Sequence, residues 1–344
     1  MTIIEDDIQN IVNSNIPWDQ IQGKSFLISG AAGFLATYMA HTIMYLNKTR
    51  STNSTLFALV RNKKEAEQKF SEYLDDPHFK ILDFDLNEDF DILEHIDYVI
   101  HAASNASPRF YGIDPVGTLL PNVIGTKNIL NFSRKHRLRS FLFFSSGEIY
   151  GDMGNEKIFE ENIGKVDPLD LRSCYAESKR MGENMCVSWN KQYDIPTKIA
   201  RIFHTYGPGM KLNDGRVFAD FVSDVVHARN IMMKSDGNTK RPFCYVSDTI
   251  RALFLILLKG ENTHAYNISN PSCLVSINEL AKIISNLFPS KKLCVVRDKR
   301  NNQNKYLKSH INIQDPDISK IMNLGYDPKI MIEEGFRRTI NSYD

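Results

Sequence analysis

Short apolar runs alternate with longer amphipathic stretches from about residue 24 to residue 203. The runs carry few polar side chains, which is typical of strands that are buried on both faces of a parallel sheet. The stretches between them are long enough to form helices that connect one strand to the next. This alternation predicts a doubly wound parallel α/β sheet. The predicted strands cover residues 26–28, 55–60, 79–82, 98–101, 141–144 and 198–203.

The pattern becomes irregular after residue 204, where loops that contain glycine and proline separate the helices. This change predicts a smaller mixed C-terminal lobe rather than a second domain behind a linker. We expect an N-terminal extension at residues 1–22, a sheet domain at 23–205, and a lobe at 206–344 that is interleaved with the sheet domain. The predicted helices cover residues 3–13, 122–135, 175–192, 217–229, 248–258, 277–287 and 330–340.

Composition narrows the function classes. The chain has 344 residues, and its 42 Lys and Arg balance 41 Asp and Glu to a net charge of +1. Nothing therefore indicates binding to nucleic acid or to an anionic membrane. The five cysteines form no C-x-x-C pair, so neither a disulfide framework nor a zinc site is expected. Because no apolar run approaches the ~20 residues of a membrane span, we expect a cytoplasmic protein without a resident metal.

The first strand leads into the turn GAAGFLA at residues 30–36. Gly30 and Gly33 permit a tight turn and let backbone N–H groups approach a pyrophosphate, and Ala36 is small enough for close packing of helix on strand. The helix that follows offers the positive end of its dipole to the phosphates. Because the motif lies between a strand and a helix, it predicts a Rossmann dinucleotide site in the domain at residues 23–205.

The second strand should end in an acidic residue that binds the adenosine ribose of NAD. Arg61 stands there instead, which suits a 2′-phosphate and keeps NADP open beside NAD. Arg61 can equally stack on adenine or point into solvent. After the third strand, Asp85 can accept a hydrogen bond from the adenine amino group or lie in water as an ordinary loop residue.

Tyr175 and Lys179 lie four residues apart in a predicted helix, so both side chains share one face. An ammonium group beside a phenol lowers the phenol pKa, and the phenolate can then take a proton from a hydroxyl group as hydride leaves. Ser146, at the end of the preceding strand, can bind the same substrate oxygen. Together with the glycine-rich turn, these residues predict a dehydrogenase site with Glu148 beside it.

At this point the chain resembles the extended short-chain dehydrogenases that act on nucleotide-sugars, and within them it is most similar to the UDP-glucuronate decarboxylases. The resemblance covers about residues 24–260. Its more specific segments are those near residues 107–111 and 213–217. The likeness is carried by the sequences ASPRFY (106–111), SGEIYG (146–151), RSCY (172–175), ARIFHTYGP (200–208), NDGRV (213–217) and RPFCYVSD (241–248).

The resemblance implies a tightly held NAD that oxidises C4 of a hexose, with Tyr175 as the base. A ketone at C4 makes the C5 substituent labile, and Glu148 occupies the position where dehydratases and decarboxylases of this family carry a glutamate. Beside it, the 4,6-dehydratases carry an aspartate that protonates the departing C6 hydroxyl. Gly147 stands there in this chain and has no proton to give. Because carbon dioxide needs no acid to leave, this glycine argues against dehydration and is compatible with decarboxylation.

Three residues depart from the family pattern. Arg61 replaces the ribose-binding acid. His204 stands where the family carries an asparagine near the substrate phosphates, and it can donate a similar hydrogen bond. Leu120 lies where the glucuronate decarboxylases carry a lysine near substrate and cofactor, which leaves the identity of the sugar open. An epimerase or dehydratase of another nucleotide-hexose, an NADP-dependent oxidoreductase and a non-catalytic dinucleotide-binding protein are the alternatives.

A buried diphosphate needs fixed cations, and the planar guanidinium of arginine suits it. The resemblance further implies a homodimer, paired through the helices near residues 122–135 and 174–192. Met181, Met185, Val187 and Trp189 supply apolar surface there. The predicted substrate-binding residues are Arg109, Tyr111, Arg172, His204, Arg216 and Arg241, and the ligand is a UDP-linked or similar nucleotide-sugar. The predicted cofactor-binding residues are Gly30, Gly33, Phe34, Leu35, Arg61, Asp85, Leu86, Ala102, Ala103, Ser104, Ser145, Tyr175 and Lys179.

Overall fold

The computed structural model describes residues 1–297 and 311–343. None of the helices in this part of the chain is long and apolar enough to cross a membrane. The helices are α1 (Ile3–Val12), α2 (Phe34–Arg50), α3 (Lys63–Lys69), α4 (Pro108–Tyr111), α5 (Pro115–Ser133), α6 (Ser173–Tyr193), α7 (Val217–Val226), α8 (Val246–Lys259), α9 (Ile277–Leu287), α10 (Ser319–Met322) and α11 (Ile332–Asn341).

Seven parallel strands form the central sheet in the order β12-β7-β5-β4-β1-β2-β3. The predicted doubly wound parallel sheet is therefore confirmed. The strands are β1 (Ser25–Ser29), β2 (Thr55–Val60), β3 (Phe79–Asp83), β4 (Tyr98–His101), β5 (Ser140–Ser146), β6 (Lys157–Ile158), β7 (Thr197–Ile202), β8 (Thr205–Tyr206), β9 (Ile231–Met233), β10 (Lys240–Pro242), β11 (Cys244–Tyr245), β12 (Ala265–Ile268), β13 (Leu274–Ser276), β14 (Val295–Arg297) and β15 (Asp315–Pro316).

The order of the strands locates the cofactor cleft. The chain winds outward from β1 in both directions, because β1 pairs with β2 on one side and with β4 on the other. In such sheets ligands bind beyond the carboxyl ends of the strands at the point where the winding reverses. The glycine-rich turn after β1 and residues 102–104 after β4 lie at this point. β5, whose last residue is Ser146, is the next strand along the same edge.

Strand β12 was not predicted from the sequence, although it forms one edge of the central sheet and pairs with β7. It is only four residues long, and the polar Asn267 interrupts its apolar character while being fully buried. The Asn267 side chain accepts a hydrogen bond from Tyr150 at 2.7 Å and donates to the carbonyl oxygen of Ile158 at 3.1 Å. The sheet therefore draws its seventh strand from the part of the chain beyond residue 205.

Helix α1 is tied to the C-terminal helix by a buried acid. Asp7 accepts hydrogen bonds from the hydroxyl of Tyr245 at 2.8 Å and from the guanidinium of Arg338 at 2.7 Å. Burial raises the pKa of Asp7, and Arg338 opposes this rise. A capping box between Thr2 and Glu5 begins the helix. The N-terminal extension is thus fixed to the body of the protein by both polar and apolar contacts.

Candidate active site

Helix α6 carries the Tyr-x-x-x-Lys motif against the carboxyl end of β5. Tyr175 and Lys179 lie in its first two turns and are buried, with 6% and 2% of their surface exposed. Ser146 is the last residue of β5 and accepts a hydrogen bond from the Glu148 N–H at 3.2 Å. The helix and the strand thus bring together residues that are about 30 positions apart in the sequence.

Tyr175 lies among groups that oppose each other. Burial raises its pKa, a hydrogen bond with the Ser146 side chain and the charge of Arg216 lower it, and the charge of Glu148 raises it. The ring of Tyr111 stacks on the Tyr175 ring, with centroids 5.2 Å apart and planes at 15°. Tyr175 is therefore packed on Tyr111, and the Ser146 side chain lies close enough to lower its pKa.

The expected lowering of the Tyr175 pKa by Lys179 is not seen in this arrangement. The Lys179 ammonium donates to the carbonyl oxygen of Phe144 at 2.7 Å and lies 4.9 Å from the centre of the Phe143 ring. Burial lowers the pKa of Lys179 to about 7, and the carboxylate of Glu183 opposes this shift. The ammonium also lies 5.8 Å from the centre of the Tyr175 ring, so the lysine is hydrogen-bonded to β5 and stands beside the tyrosine.

Glu148 is paired with Arg172, whose guanidinium lies 3.4 Å from its carboxylate. Both side chains are partly buried. Arg172 also lies over the ring of Tyr111 at 5.7 Å, and the Tyr111 hydroxyl donates to the carbonyl oxygen of Ala106 at 3.1 Å. The Tyr111 hydroxyl is already bonded, one ring face covers Tyr175, and only 2% of its surface is exposed. Its role in binding sugar stays a prediction.

Gly147 has no room for a side chain. A Cβ atom built there would lie 2.5 to 2.9 Å from three carbon atoms of the Phe203 ring. Phe203 follows β7 and packs in a small apolar cluster with Ile149, Tyr150 and Ile158. The place where the 4,6-dehydratases carry an aspartate is thus closed by an aromatic ring.

We expect G147A to lower the free energy of unfolding by about 1–3 kcal/mol, because the added methyl group overpacks the contact with Phe203. Replacing Phe203 by the smaller leucine should make room for the added methyl group. The double variant G147A/F203L should therefore recover part of the loss, relative to the single variants G147A and F203L. Urea unfolding of the two single variants and the double variant, at one fixed cofactor concentration, measures the coupling. Strictly additive losses would show that the two positions do not contact each other.

Two segments of the resemblance, more than 100 residues apart, meet beside the site. The Ser107 hydroxyl donates to the carbonyl oxygen of Asp214, and the Arg216 guanidinium donates to that of Ala106 at 2.9 Å. Arg216 also pairs with the Asp214 carboxylate at 2.9 Å. Arg109 is exposed and lies 3.5 Å from the carbonyl oxygen of Asn213. Residues 106–111 and 213–217 therefore pack against each other beside the site.

Three predicted arginines lie close enough to His204 for their charges to affect its pKa. The charges of Arg241, Arg216 and Arg172 all lower its pKa, which burial and these charges bring to about 3. Arg241 is buried and donates to the carbonyl oxygens of Ile311 at 2.8 Å and Asn312 at 3.1 Å. The arginines that the sequence nominated for an anionic ligand are thus close together in space, and Arg241 is held by backbone groups.

The glycine-rich turn packs directly on the end of β4. Gly30 has φ +65°, and a Cβ atom there would lie 2.7 Å from Cα of Ala103. Gly33 begins α2 without a side-chain cap, so the first N–H groups of this 17-residue helix are not bonded by a capping side chain. The Ser104 hydroxyl is buried and has no hydrogen-bonding partner within residues 1–297 and 311–343. A dinucleotide pyrophosphate fits these donors.

The other predicted cofactor contacts differ in accessibility. Arg61 follows β2 and is exposed. Asp85 is also exposed and accepts a hydrogen bond from the Asn87 N–H at 2.9 Å. The side chain of Leu86 is buried in the core, so only its backbone can meet a ligand. The hydroxyl of Ser145 donates to Glu183, which directs it into the protein. Phe34, Leu35, Ala102 and Ala103 are partly buried around the turn.

Two features near the site were missed in the sequence. Glu183, which lies in α6 itself, forms an ion pair with Arg201 of β7 at 2.7 Å. Its spacing of four residues from Lys179 was the available signal. Gln314 contacts both Gly147 and His204. No pattern in the sequence pointed to Gln314, because it lies 110 positions from His204 in an irregular stretch.

A model of the NAD-dependent epimerase/dehydratase family matches residues 26–269. The chain belongs to this family. The relatives of this family member include UDP-glucuronic acid decarboxylase 3 of Arabidopsis thaliana, which is 33% identical over 90% of this chain and 86% of its own length. UDP-glucuronic acid decarboxylase 1 of Xenopus tropicalis is 31% identical over 93% of this chain and 72% of its own length.

Solved structures of the epimerase/dehydratase family share the fold. UDP-glucuronic acid 4-epimerase from Bacillus cereus, in complex with UDP-glucuronic acid and NAD, superposes with a TM-score of 0.77 at 21% identity and covers 93% of this chain and 98% of its own. dTDP-glucose 4,6-dehydratase from Bacillus anthracis, in complex with NAD, has a TM-score of 0.74 at 20% identity over 93% and 96% of the two chains. At these identities the likeness shows the fold alone.

Proposed function

We propose that this chain decarboxylates UDP-glucuronate, using NAD that is regenerated within each turnover. The relatives at 30–33% identity are UDP-glucuronic acid decarboxylases, which indicates a nucleotide-sugar substrate. The observation that carries the proposal is the nature of residues 147 and 148, which directly follow Ser146 in the site. Glu148 supplies a carboxylate, and Gly147 cannot carry an acid because Phe203 fills its space. The site is therefore suited to a leaving group that departs without a proton.

The proposed chemistry assigns a task to each residue. When NAD is bound, it supplies the acceptor for a hydride from C4 of the hexose and returns that hydride at the end. Tyr175 takes the proton of the C4 hydroxyl group, and Ser146 holds the same oxygen through its hydroxyl. The resulting 4-ketone is β to the C6 carboxylate, so the C5–C6 bond breaks and its electron pair moves toward the ketone oxygen. Glu148, oriented by Arg172, passes a proton from solvent to C5 in place of the lost CO₂. Tyr175 returns its proton to the C4 oxygen when the hydride is returned.

A second candidate is 4-epimerisation of another nucleotide-hexose. Leu120 is the observation that favours it, because this exposed leucine in α5 occupies the position of a lysine in the glucuronate decarboxylases. NAD is the proposed cofactor, and NADP is the alternative that Arg61 favours, since its exposed guanidinium at the end of β2 suits a 2′-phosphate.

Mass spectrometry tests the function directly. The purified protein is incubated, without added cofactor, with UDP-glucuronate and with a panel of other nucleotide-hexoses. We expect UDP-glucuronate alone to lose the mass of CO₂, and the denatured protein to release NAD. Conversion of a different nucleotide-hexose without a change in mass would replace the proposal by epimerisation. Turnover only after NADP is added would show that the cofactor is exchangeable and that Arg61 selects it.

We further propose a homodimer that pairs through α5 and α6. These two helices pack on each other and leave Val116, Met181 and Val187 exposed, whereas Met185 is buried and Trp189 is partly buried. We expect M181E to weaken the dimer roughly hundredfold, because two copies of a charge would be buried at the interface. Analytical ultracentrifugation measures this, and M322E, at an exposed methionine of α10, is the control. Equal dissociation constants for both variants would exclude this face.

A further inference from the structure

The side chain of Gln314 connects Gly147, in the loop that follows β5, to His204. It is 1% exposed and lies just before β15. Its amide nitrogen donates to the carbonyl oxygen of Gly147 at 3.4 Å, and its amide oxygen lies 2.7 Å from Nε2 of His204. Its backbone N–H donates to the carbonyl oxygen of Lys240 at 3.3 Å. The side chain is therefore fixed at two points, and the backbone is fixed at a third.

These contacts determine which nitrogen of His204 carries the proton. A carbonyl oxygen can only accept, so the group of Gln314 that faces Gly147 must be the NH₂ group. The oxygen of the same amide then faces His204, and Nε2 must donate to it. Burial and the charges of Arg241, Arg216 and Arg172 lower the pKa of His204 to about 3, and the hydrogen bond with Gln314 opposes this shift. His204 is therefore a neutral imidazole whose Nδ1 is an acceptor.

We propose that His204 recognises the hexose of the substrate by accepting a hydrogen bond from one of its hydroxyl groups through Nδ1, and that Gln314 is the positioning residue that fixes this tautomer. The inference rests on the proposed action on a nucleotide-sugar. It corrects the expectation that His204 donates to the substrate phosphates, because the Nε2–H bond is already used by Gln314. A bare Nδ1 repels phosphate oxygens, which are acceptors themselves.

The position of His204 indicates which part of a nucleotide-sugar donates the hydrogen bond to it. His204 is not completely buried, because part of the surface of the residue remains exposed. Through Gln314 it is tied to Gly147, whose neighbours Ser146 and Glu148 are the residues assigned to the reacting sugar. The ribose and the nucleobase must lie farther along the substrate than the diphosphate. A hydroxyl group of the hexose is therefore the donor that His204 meets.

Nitrogen NMR tests the tautomer without any substrate. Protein labelled with ¹⁵N at its nine histidines is compared with H204N, which identifies the His204 signals by their loss. We expect a protonated Nε2 and an unprotonated Nδ1 for His204, unchanged between about pH 5.5 and 8.5. In Q314M, which removes both side-chain bonds, we expect a mixture of the two tautomers. A protonated Nδ1 in the wild-type protein, or titration of His204 in this range, would overturn the proposal.

Calorimetry of ligand binding tests the contact with the hexose. The variant H204F keeps an aromatic ring but lacks both nitrogens. We expect it to bind UDP-glucuronate about five- to tenfold more weakly, the loss of one hydrogen bond, and to bind UDP with unchanged affinity. H227F, at an exposed histidine after α7, should bind both ligands like the wild type. An equal loss for UDP and UDP-glucuronate in H204F would place the contact on the nucleotide and refute the inference.

The two proposals fail in different ways. If the wild-type protein binds another nucleotide-hexose in place of UDP-glucuronate, the proposed function is wrong, and the same comparison is made between that ligand and its parent nucleotide. A selective loss in H204F for the ligand that contains the hexose would then still support the role of His204. The tautomer measured by NMR does not depend on which sugar is bound.

Discussion

Replacing Tyr175 by phenylalanine is expected to lower kcat by about 10²–10⁴-fold, because the variant loses the group that takes the proton from the C4 hydroxyl. The change removes one oxygen atom and leaves the ring that stacks on Tyr111 in place. The bond with Ser146 is lost, but the apolar packing is not. We therefore expect thermal unfolding and the amount of copurified cofactor to remain as in the wild type. Steady-state kinetics with the nucleotide-sugar identified by mass spectrometry measures the effect.

The control for this variant is Y193F, at the other end of the same helix. Tyr193 is partly buried and lies under the guanidinium of Arg134 at 3.9 Å, far along α6 from the catalytic turn. Its kcat should stay within about twofold of the wild type, since no proton transfer passes through it. A kcat for Y175F close to that of Y193F would remove Tyr175 from the role of base and would leave Glu148 as the remaining candidate.

The fold was largely predictable because its strands are short continuous apolar runs between helices. The predicted strand at residues 55–60 coincides with β2, and helix α9 has the predicted ends. β12 escaped because a buried asparagine lies in the middle of it, and an asparagine in a short run normally indicates a turn. Its burial is explained by hydrogen bonds with Tyr150, with Ile158 of β6 and with the carbonyl oxygen of Asp317, which are all distant in the sequence. Such long-range satisfaction of a polar group cannot be read from local pattern.

The proximity of the site residues was predictable to the extent that local elements decide it. The end of β5 and the start of α6 had to meet, because parallel strands place their carboxyl ends at one edge of the sheet. The direction of Lys179 was not predictable, since it depends on a hydrogen bond to the carbonyl oxygen of Phe144, which lies 35 residues earlier in β5. Gln314 depends on the path of an irregular segment. Orientation within the site therefore required the three-dimensional structure.

Replacing Lys179 by methionine is expected to inactivate the protein and at the same time to stabilise it. Lys179 is the cation of the predicted Tyr-x-x-x-Lys motif, and its ammonium lies 5.8 Å from the centre of the Tyr175 ring. Its loss should lower kcat by about 10²–10⁴-fold. Burial holds the Lys179 pKa at about 7 instead of its ordinary 10.5, which corresponds to about 5 kcal/mol of unfavourable free energy for the charged form. The carbonyl oxygen of Phe144 loses its donor in the variant, which offsets part of this gain. A net stabilisation of roughly 2 kcal/mol near pH 6 is expected.

The stability difference between K179M and the wild type depends on pH. Between about pH 7 and 10.5 the unfolded chain keeps the proton of Lys179 while the folded protein loses it, so the unfolded state binds more protons. The stability of the wild-type protein therefore rises with pH across this window as far as Lys179 contributes. Below pH 7 both states are protonated, and the full cost of burial remains. The advantage of K179M should thus be largest below pH 7 and should disappear toward pH 10.

Lys198 is the matched control for a buried lysine outside the site. It lies in β7, donates to the carbonyl oxygen of Leu257 at 2.9 Å, and has its pKa lowered to about 8 by burial. K198M should therefore also gain stability at low pH while it keeps the kcat of the wild type. Urea unfolding at pH 6 and pH 9 compares the two variants.

If K179M were less stable than the wild type at both pH values, Lys179 would be needed to neutralise Glu183, despite the ion pair that Glu183 already forms with Arg201. The lysine would then be a structural ion as well as a catalytic one, whereas the expected result identifies it as a group kept in the core for the reaction at a cost to stability.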